Sequence, residues 1–332
     1  MKISYPAYYD SFRCIAGACP DSCCKEWAVD VDDSAAAFYR TLEGPLGEHL
    51  RRVLKDTEDG TIMTIENGRC PMWREDGLCK IQAQLGHDAL CQVCQTFPRL
   101  RHDYGDFVEL GLELSCPEAA RLILTGDGQT VVTDVPGGEE PEYDAEAMEI
   151  LLESRETLLH FLDTASLPAS HALAVALLYA HEVQSWLDGD VPAQLDPQAC
   201  LELAKRHASQ GDWSLFLDFF LNLEILTPHW KHRLLAPGAN GVWEDRYLAL
   251  ARYFVGRYWL QAVSDYDLIG RVKLIIAACL LVYRLGGNFV ETAQQFSKEI
   301  ENDPDNLDTI FDGAYTSPAL TDVHLLSLLL NP

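Results

Sequence analysis

The sequence predicts a mainly α protein, in which an irregular, cysteine-rich, metal-binding N-terminal region with short strands precedes an irregular helical bundle. Nine of the eleven cysteines lie within the first 116 residues. Apolar residues recur at spacings of three and four through most of the second half, which is typical of amphipathic helices. Between them, residues 126–144 are rich in Gly, Pro and acidic side chains and have no periodicity. We therefore predict a metal- or cluster-binding domain over 1–125, a linker or long loop over 126–144 and an all-helical domain over 145–332.

In the N-terminal region, the apolar spacing predicts helices over residues 33–54 and 78–94, and alternation predicts short strands over 61–65 and 107–114. A helix over 78–94 would place His87, Cys91 and Cys94 on one face and apolar residues on the opposite face. Strands and helices do not alternate in series, so a doubly wound sheet is not expected.

In the second half, helical spacing runs through most of the chain. The last predicted helix begins at an Asn cap and ends in a solvated, charged face. Pro228, Pro237 and the Gly286-Gly287 pair interrupt the pattern. No repeat of 20 to 50 residues is visible, which favours a bundle over a solenoid. The predicted helices cover residues 145–162, 172–187, 213–226, 244–263, 267–285 and 288–301.

The charge excludes one class of partner. The chain has 25 basic and 51 acidic side chains, a formal net charge of −26. A surface of this sign repels phosphate backbones, so nucleic-acid binding is not expected. It suits a partner that carries lysines, although solubility alone also explains it.

Hydropathy predicts a cytoplasmic protein with no membrane span. The N-terminus has no apolar run of signal-peptide length. The longest apolar stretch, residues 274–283, is about half of what a bilayer requires and is flanked by Arg271, Lys273 and Arg284. In a reducing compartment, clustered cysteines more often bind metal or carry out redox chemistry than form structural disulfides.

The cysteine spacing indicates a metal centre. Closely spaced thiols can be directed at one ion at a small entropic cost, and more distant ones then close the site. Buried free thiols that act as small apolar side chains are the alternative; we expect this role for Cys200 and Cys279, which lie in apolar helical segments. The N-terminal cysteines are Cys14, Cys19, Cys23 and Cys24, then Cys70 and Cys79, then Cys91 and Cys94, and finally Cys116.

The residues alone leave zinc and iron–sulfur open. Thiolates suit both. Cys19, Cys70 and Cys116 each precede proline, as the last cysteine of bacterial ferredoxin ligand runs does. The spacing differs from a zinc ribbon, and Glu26 stands where a CxxxCxxC motif beginning at Cys19 would need its third cysteine.

Four stretches of the sequence resemble the flagellin lysine-N-methylase family. They are YYDSFRCIAGACPDSCCKEWAVDVD (8–32), RCPMWREDGLCKIQAQLG (69–86), LCQVCQTFPRL (90–100) and LELSCPEAARLIL (112–124). The Cys-Cys-x-x-Trp ending of the first and the Cys-x-x-Phe-Pro-Arg of the third are specific in combination. A wider group of small zinc- or iron-chelating proteins shares the Cys-Cys and Cys-x-x-x-Pro elements.

The resemblance implies an S-adenosylmethionine-dependent enzyme that N-methylates surface lysines of flagellin and carries an iron–sulfur cluster, most simply 4Fe–4S, with zinc as the alternative. Cys91 is left out of the implied ligands because the family tolerates other residues there. The cysteines that match the family pattern are Cys14, Cys19, Cys23, Cys24, Cys70, Cys79, Cys94 and Cys116.

Methyl transfer itself has no independent signature in the residues. No GxGxG loop of a Rossmann-type site and no GxSxG elbow is present. Arg99 could hold a cofactor carboxylate through a bidentate contact, or pair with the acidic surface. Tyr8, Tyr9 and Asp10 are candidate proton acceptors by location only, and the catalytic residues stay unassigned. The competing interpretations are a non-catalytic iron–sulfur or zinc-binding partner or regulatory module, and an iron–sulfur redox protein.

Overall fold

A computed structural model describes residues 1–126 and 128–331 of the chain and confirms the mainly α prediction. Within those residues it has fifteen α-helices and seven short strands. The N-terminal helices are α1 Asp33–Thr41, α2 Gly44–Val53, α3 Lys80–Leu85, α4 Gln92–Thr96 and α5 Pro117–Thr125. The others are α6 Ala145–Thr164, α7 Ala169–Leu187, α8 Pro197–His207, α9 Trp213–Leu221, α10 Pro228–Leu235, α11 Arg246–Tyr258, α12 Leu268–Leu285, α13 Phe289–Phe296, α14 Pro304–Thr316 and α15 Asp322–Leu330.

Aspartate side chains begin many of these helices. In six of them the carboxylate at the N-cap accepts a hydrogen bond from a backbone N–H of the first turn, which satisfies a donor that the helix leaves unpaired. Part of the acidic excess therefore serves to start helices. The six caps are Asp32, Asp144, Asp196, Asp212, Asp267 and Asp303.

Two small sheets organise the N-terminal part. One has the order β5-β6-β1-β7, with β1 (Lys2–Pro6) parallel to β6 (Phe107–Leu112) and antiparallel to β7 (Thr130–Asp134), while β5 (Arg99–Asp103) pairs with β6. The other is an antiparallel sheet with the order β2-β4-β3. Its strands are Val29–Val31, Gly60–Met63 and Leu54–Thr57.

Buried side chains fall into two clusters. The smaller cluster lies between residues 29 and 91 and includes Tyr39, Leu50 and Met72. The larger cluster surrounds α12, nearly all of whose side chains are buried, and it also takes in Phe12 and residues from β6 and α5. Residues 112–124 therefore pack with the helical half of the chain rather than with the cysteine-rich core.

Several predicted elements differ from the observed ones. The predicted helix over 33–54 is two helices, and the predicted helix over 78–94 is wrong, because α3, a 3₁₀ turn at His87–Ala89 and α4 replace it. The linker or long loop predicted over residues 126–144 includes residue 127, which lies outside the described residues, and β7 lies within the remainder. The end of the predicted helix 288–301 is not solvated, since Lys298, Glu299 and Glu301 are buried.

Among the residues described, no helix combines the length and the apolar character needed to cross a bilayer.

Candidate functional site

The nine N-terminal cysteines come together from separate segments of the chain as free thiols. We call Cys24, Cys70, Cys79, Cys91 and Cys94 the first thiol group, because each lies near enough to others of the set to shift their pKa values. Cys14, Cys19 and Cys116 form the second thiol group on the same criterion. Cys23 lies between them and interacts with members of both.

The first thiol group is built on the smaller buried cluster. The Cys70 N–H donates to the Cys24 carbonyl at 2.7 Å and holds the two loops together. Cys79 and Cys91 are the N-cap residues of α3 and α4. Asp32, which caps α1, also accepts a 2.8 Å hydrogen bond from the Gln92 N–H and so fixes the start of α4 beside that core. Short elements thus place thiols from three loops at one end of the core.

Three pairs of neighbouring thiols influence each other's pKa values most strongly, through thiol–thiol hydrogen bonding. They are Cys23 with Cys24, Cys24 with Cys70, and Cys91 with Cys94. The bond to Cys23 lowers the pKa of Cys24, but the bond to Cys70 and burial outweigh it and raise that pKa to about 12. Between Cys91 and Cys94, the hydrogen bond raises the pKa of Cys94 and lowers that of Cys91. Shared protons of this kind are what a metal ion would displace on binding thiolates.

The second thiol group joins the N-terminal loop to the helical half. Cys14 is exposed, and its Sγ accepts a hydrogen bond from the Ala16 N–H at 3.4 Å. Cys116 is the N-cap residue of α5 and packs against the larger buried cluster. Burial raises the pKa of Cys116 to about 12, although N–H groups of the first turn of α5 act in the opposite direction. The thiols as a whole therefore lie where the two buried clusters meet.

The arrangement is not that of a formed metal site. Over residues 1–126 and 128–331, no three or more His, Cys, Asp or Glu side chains are grouped so that they could hold a metal ion. The chemistry of the donors fits a thiolate-bound group: they are soft, numerous and in mutual contact. What is present is a set of paired thiols rather than a common coordination sphere.

Three further sequence candidates lie apart from the thiol contacts. His87 is exposed and lies 3.8 Å from Asp88, and the helix that would have aligned it with Cys91 and Cys94 does not form. Arg99 is exposed on β5, and its guanidinium carbon lies 5.1 Å from the ring centroid of Phe12 and 5.9 Å from that of Tyr9. Tyr8 is packed against Gly126, and burial raises its pKa to about 12.

A buried ionic contact beside the thiols has no signature in the sequence. The Lys298 ammonium lies 2.9 Å from Asp21 and 2.5 Å from Glu26, two carboxylates of the loop that carries Cys19, Cys23 and Cys24. Burial lowers the pKa of Lys298, but Glu26 and Asp21 outweigh it, and the net pKa is raised. The charged lysine stands 272 residues from Glu26 in the sequence (298 − 26), and no local pattern could pair them.

Next to the first thiol group lies an acidic groove. Two neighbouring cavities of about 320 and 540 Å³ share Asp32 and Gln92 in their walls. Five aspartates and no basic residue line the pair: Asp30, Asp32, Asp33, Asp59 and Asp88. The exposed Val93 of α4, next to Cys94, forms part of the wall. Such a surface attracts cations and repels phosphate.

Known proteins resemble the chain over part of its length. The lysine-N-methylases of Salmonella typhimurium and Salmonella choleraesuis are 33% and 32% identical to it over 131 residues, which cover 37% of this chain and 33% of theirs. The flagellar biosynthetic protein FliU of Salmonella muenchen is 32% identical over 131 residues, and the match covers 78% of that protein. The chain belongs to the flagellin lysine-N-methylase family. This member of the family spans about a third of the length of the two lysine-N-methylases that it matches.

No protein-family profile matches the sequence of this family member, and no solved structure matches its fold.

Proposed function

We propose that this chain is a cytoplasmic protein-lysine N-methyltransferase that acts on surface lysines of flagellin, takes its methyl group from S-adenosylmethionine and carries a cysteine-ligated iron–sulfur cluster. Its membership of the lysine-N-methylase family carries the proposal. The gathering of nine thiols from separate segments supports the cluster, and the acidic groove supports a cationic substrate.

The thiols offer more than enough ligands for a 4Fe–4S cluster, with zinc as the alternative. Iron–sulfur clusters are held by four cysteine thiolates, and zinc takes the same donors. When bound, such a group would tie thiol-bearing segments together and couple metal binding to folding. The proposed ligands come from Cys14, Cys19, Cys23, Cys24, Cys70, Cys79, Cys94 and Cys116.

The substrate would need to lose a proton before methyl transfer. A lysine ε-ammonium has no free electron pair, so it must give a proton to water before its nitrogen attacks the methyl carbon of the sulfonium. Nitrogen then gains the methyl group, and the sulfur leaves as a neutral thioether. The aspartates of the acidic groove would bind the ammonium as it arrives. Arg99, held over Tyr9 and Phe12, would pair with the carboxylate of S-adenosylmethionine.

The test is a methyl-transfer assay with metal analysis on the same sample. Protein purified without oxygen is analysed for iron, acid-labile sulfide and zinc, and is then incubated with flagellin and isotopically methyl-labelled S-adenosylmethionine. We expect label on flagellin lysines and none on flagellin whose amines have been acetylated. Calorimetric titration with S-adenosylmethionine separates the alternatives: metal without binding of this donor would favour the non-catalytic module, and label without metal would remove the cluster from the proposal.

A further inference from the structure

One helix face in the C-terminal half contacts both segments of the second thiol group. Helix α13 (Phe289–Phe296) continues directly into a π-helical turn, Ser297–Glu301. Gln294 and Lys298 stand four residues apart and therefore lie on the same face. Both side chains are buried, with exposed fractions of 3% and 6%.

Lys298 fastens the loop between Cys19 and Trp27 at two points. Its Nζ lies 2.9 Å from Asp21 Oδ2 and 2.5 Å from Glu26 Oε2. It also lies 5.1 Å from the ring centroid of Trp27, in cation–π geometry. Asp21 stands between Cys19 and Cys23, and Glu26 follows Cys24 by two positions. One ammonium group therefore holds the loop on both sides of its paired cysteines.

Gln294 joins that loop to Cys116. Its Nε2 donates to Asp21 Oδ2 at 3.2 Å and to the Ser115 carbonyl at 2.7 Å. Ser115 immediately precedes Cys116. Both protons of one amide nitrogen are thus used to hold the two thiol-bearing segments against each other. These two hydrogen bonds keep Cys116 near Cys19 and Cys23, both of which contribute to the rise in the pKa of Cys116.

The π-helical turn that carries Lys298 is itself fixed from behind. Glu301 is fully buried and accepts hydrogen bonds from the Tyr253 hydroxyl at 3.0 Å and the Tyr258 hydroxyl at 3.1 Å, and it pairs with Arg257 at 3.0 Å. The Tyr253 oxygen in turn accepts a 3.2 Å hydrogen bond from the Leu114 N–H. The turn and the segment before Cys116 are therefore held by a single buried network. A π-helical turn inside an α-helix is rare and occurs often at functional sites.

We propose that Gln294 and Lys298 are positioning residues for the thiols of Cys19, Cys23 and Cys116, so that the helical half supplies the frame of the proposed centre. As far as these thiols hold that centre, the inference rests on the function proposed above. Removing the ammonium takes from Glu26 its 2.5 Å ion pair and leaves Asp21 with only the longer ion pair to Lys25, at 3.7 Å. Breaking a buried ion pair in this way frees the loop. Removing the amide detaches Cys116 from the same loop.

The variants are Lys298→Met, Lys298→Arg and Gln294→Leu, with Lys273→Met as the matched control. Lys273 is also buried, with 5% of its surface exposed, and its Nζ lies 2.6 Å from the Ala314 carbonyl and 3.1 Å from Asp322. These contacts, and the cation–π contact of Lys273 with Tyr315, lie within the helical half. Lys273→Met and Lys298→Met therefore both remove a buried lysine, and they differ in whether that lysine contacts the thiol-bearing loop.

The measurement is the maleimide labelling rate of each cysteine, read by peptide mass spectrometry on full-length protein as purified, together with iron and zinc per chain. We expect Lys298→Met and Gln294→Leu to raise labelling of Cys19, Cys23 and Cys116 about tenfold, as loss of a stabilising contact permits local opening. Lys298→Arg should keep labelling rates close to those of the unmodified protein, because arginine keeps the positive charge. Lys273→Met should lower the melting temperature but leave these rates unchanged.

Equal labelling in Lys298→Met and the unmodified protein, or an equal rise in Lys273→Met, would overturn the positioning role. If Lys298→Met fails to fold, Gln294→Leu and Lys298→Arg still decide the matter. Failure of the proposed function looks different: the labelling pattern would hold while the unmodified protein carries no metal and transfers no methyl group.

Discussion

At the scale of single residues, neighbours decide what each cysteine can do. Cys279 is fully buried in α12, and burial alone raises its pKa, which is the behaviour of an inert apolar thiol. Cys24 is linked to thiols on both sides, and its carbonyl also holds the Cys70 loop. The same side chain is thus a packing group in one place and a candidate ligand in the other.

Substitution by serine separates these two roles. Cys24→Ser removes a soft donor from a site whose assembly is coupled to folding, and structural metal sites contribute about 10 kcal/mol in small domains. We expect Cys24→Ser, like Cys23→Ser, Cys79→Ser and Cys94→Ser, to lower metal content and solubility together. Cys279→Ser and Cys200→Ser should cost about 1 kcal/mol and keep the full metal content. Elemental analysis and denaturant melts provide both readouts.

Cys91 is the informative intermediate in that series. It is 2% exposed and lies beside Cys94 at the N-cap of α4, although the family resemblance leaves it out of the ligands. We predict that Cys91→Ser keeps the metal and loses about 1 kcal/mol of stability, as for an average buried substitution. If Cys91→Ser loses as much metal as Cys94→Ser, Cys91 is a ligand. If every N-terminal variant keeps the metal content of the unmodified protein, the cysteines are buried thiols and not metal ligands.

Glu113 gives the fold a pH dependence that can be measured. Burial raises its pKa to about 7, and although Arg257 acts in the opposite direction, the nearby Glu301 supports the rise. Between pH 4.5, the ordinary pKa of a glutamate, and pH 7, the folded state holds a proton that the unfolded state has lost. Stability therefore falls as pH rises through this window.

Glu113→Gln should remove that dependence, since the neutral amide needs no proton. We expect this variant to be about 2 kcal/mol more stable than the unmodified protein at pH 8 and equal to it at pH 4.5. Urea melts at the two pH values check this. Glu118→Gln on α5 is a control of opposite sign, because the contact of the partly buried Glu118 with Arg121 lowers the pKa of that carboxyl. A parallel shift of Glu113→Gln at both pH values would mean that the carboxyl is not titrating.

At the scale of elements, the long periodic helices were predictable and the helices that begin at proline were not. The predicted 145–162 and 267–285 agree with α6 and α12 within a few residues. Pro228 was interpreted as an interruption, yet it is the first residue of α10, with the Thr227 side chain as cap. Helices α5, α8 and α14 begin in the same way, because proline lacks only an N–H that the first turn leaves unpaired.

The candidate site was predictable in composition but not in assembly. The cysteine positions and the acidic charge are readable from the sequence, and the structure does bring those thiols together. Gln294 and Lys298 could not be found, because their partners lie in the other half of the chain and their spacing resembles that of an exposed helical face. Glu301 was missed because its partners Tyr253, Arg257 and Tyr258 lie on α11, far from it in the sequence. Burial of these charges depends on long-range pairing, which local periodicity does not contain.

At the scale of the whole molecule, strand pairing and buried contacts link the parts of the chain that the sequence pattern separates. The sequence pattern places a boundary in residues 126–144. In the structure, β7 within that segment pairs along the full length of β1, and the N-terminal amine donates to the carbonyls of Val135 and Gly137. Residues 112–124 share the larger buried cluster with the helical half. The two sides of the segment are therefore held together by contacts that do not depend on the chain being continuous there.

Limited proteolysis distinguishes a linker between independent domains from a loop on one packed body. A Glu-specific protease should cleave first after Glu139 or Glu140, which are exposed and lie beyond the paired residues 130–134. We expect the two fragments to co-elute in size-exclusion chromatography and to separate only in denaturant, because β1–β7 pairing and the buried contacts of α5 with α11 and α13 persist after the cut.

Phe12→Ala is the companion variant, since it removes one ring of the shared cluster and should cost about 3 kcal/mol without touching the cleavage site. Its fragments should dissociate more readily than those of the unmodified protein. Fragments that separate at once under native conditions would show that the predicted domains at 1–125 and 145–332 are independent, and that the contacts of residues 112–124 contribute little to the free energy of unfolding.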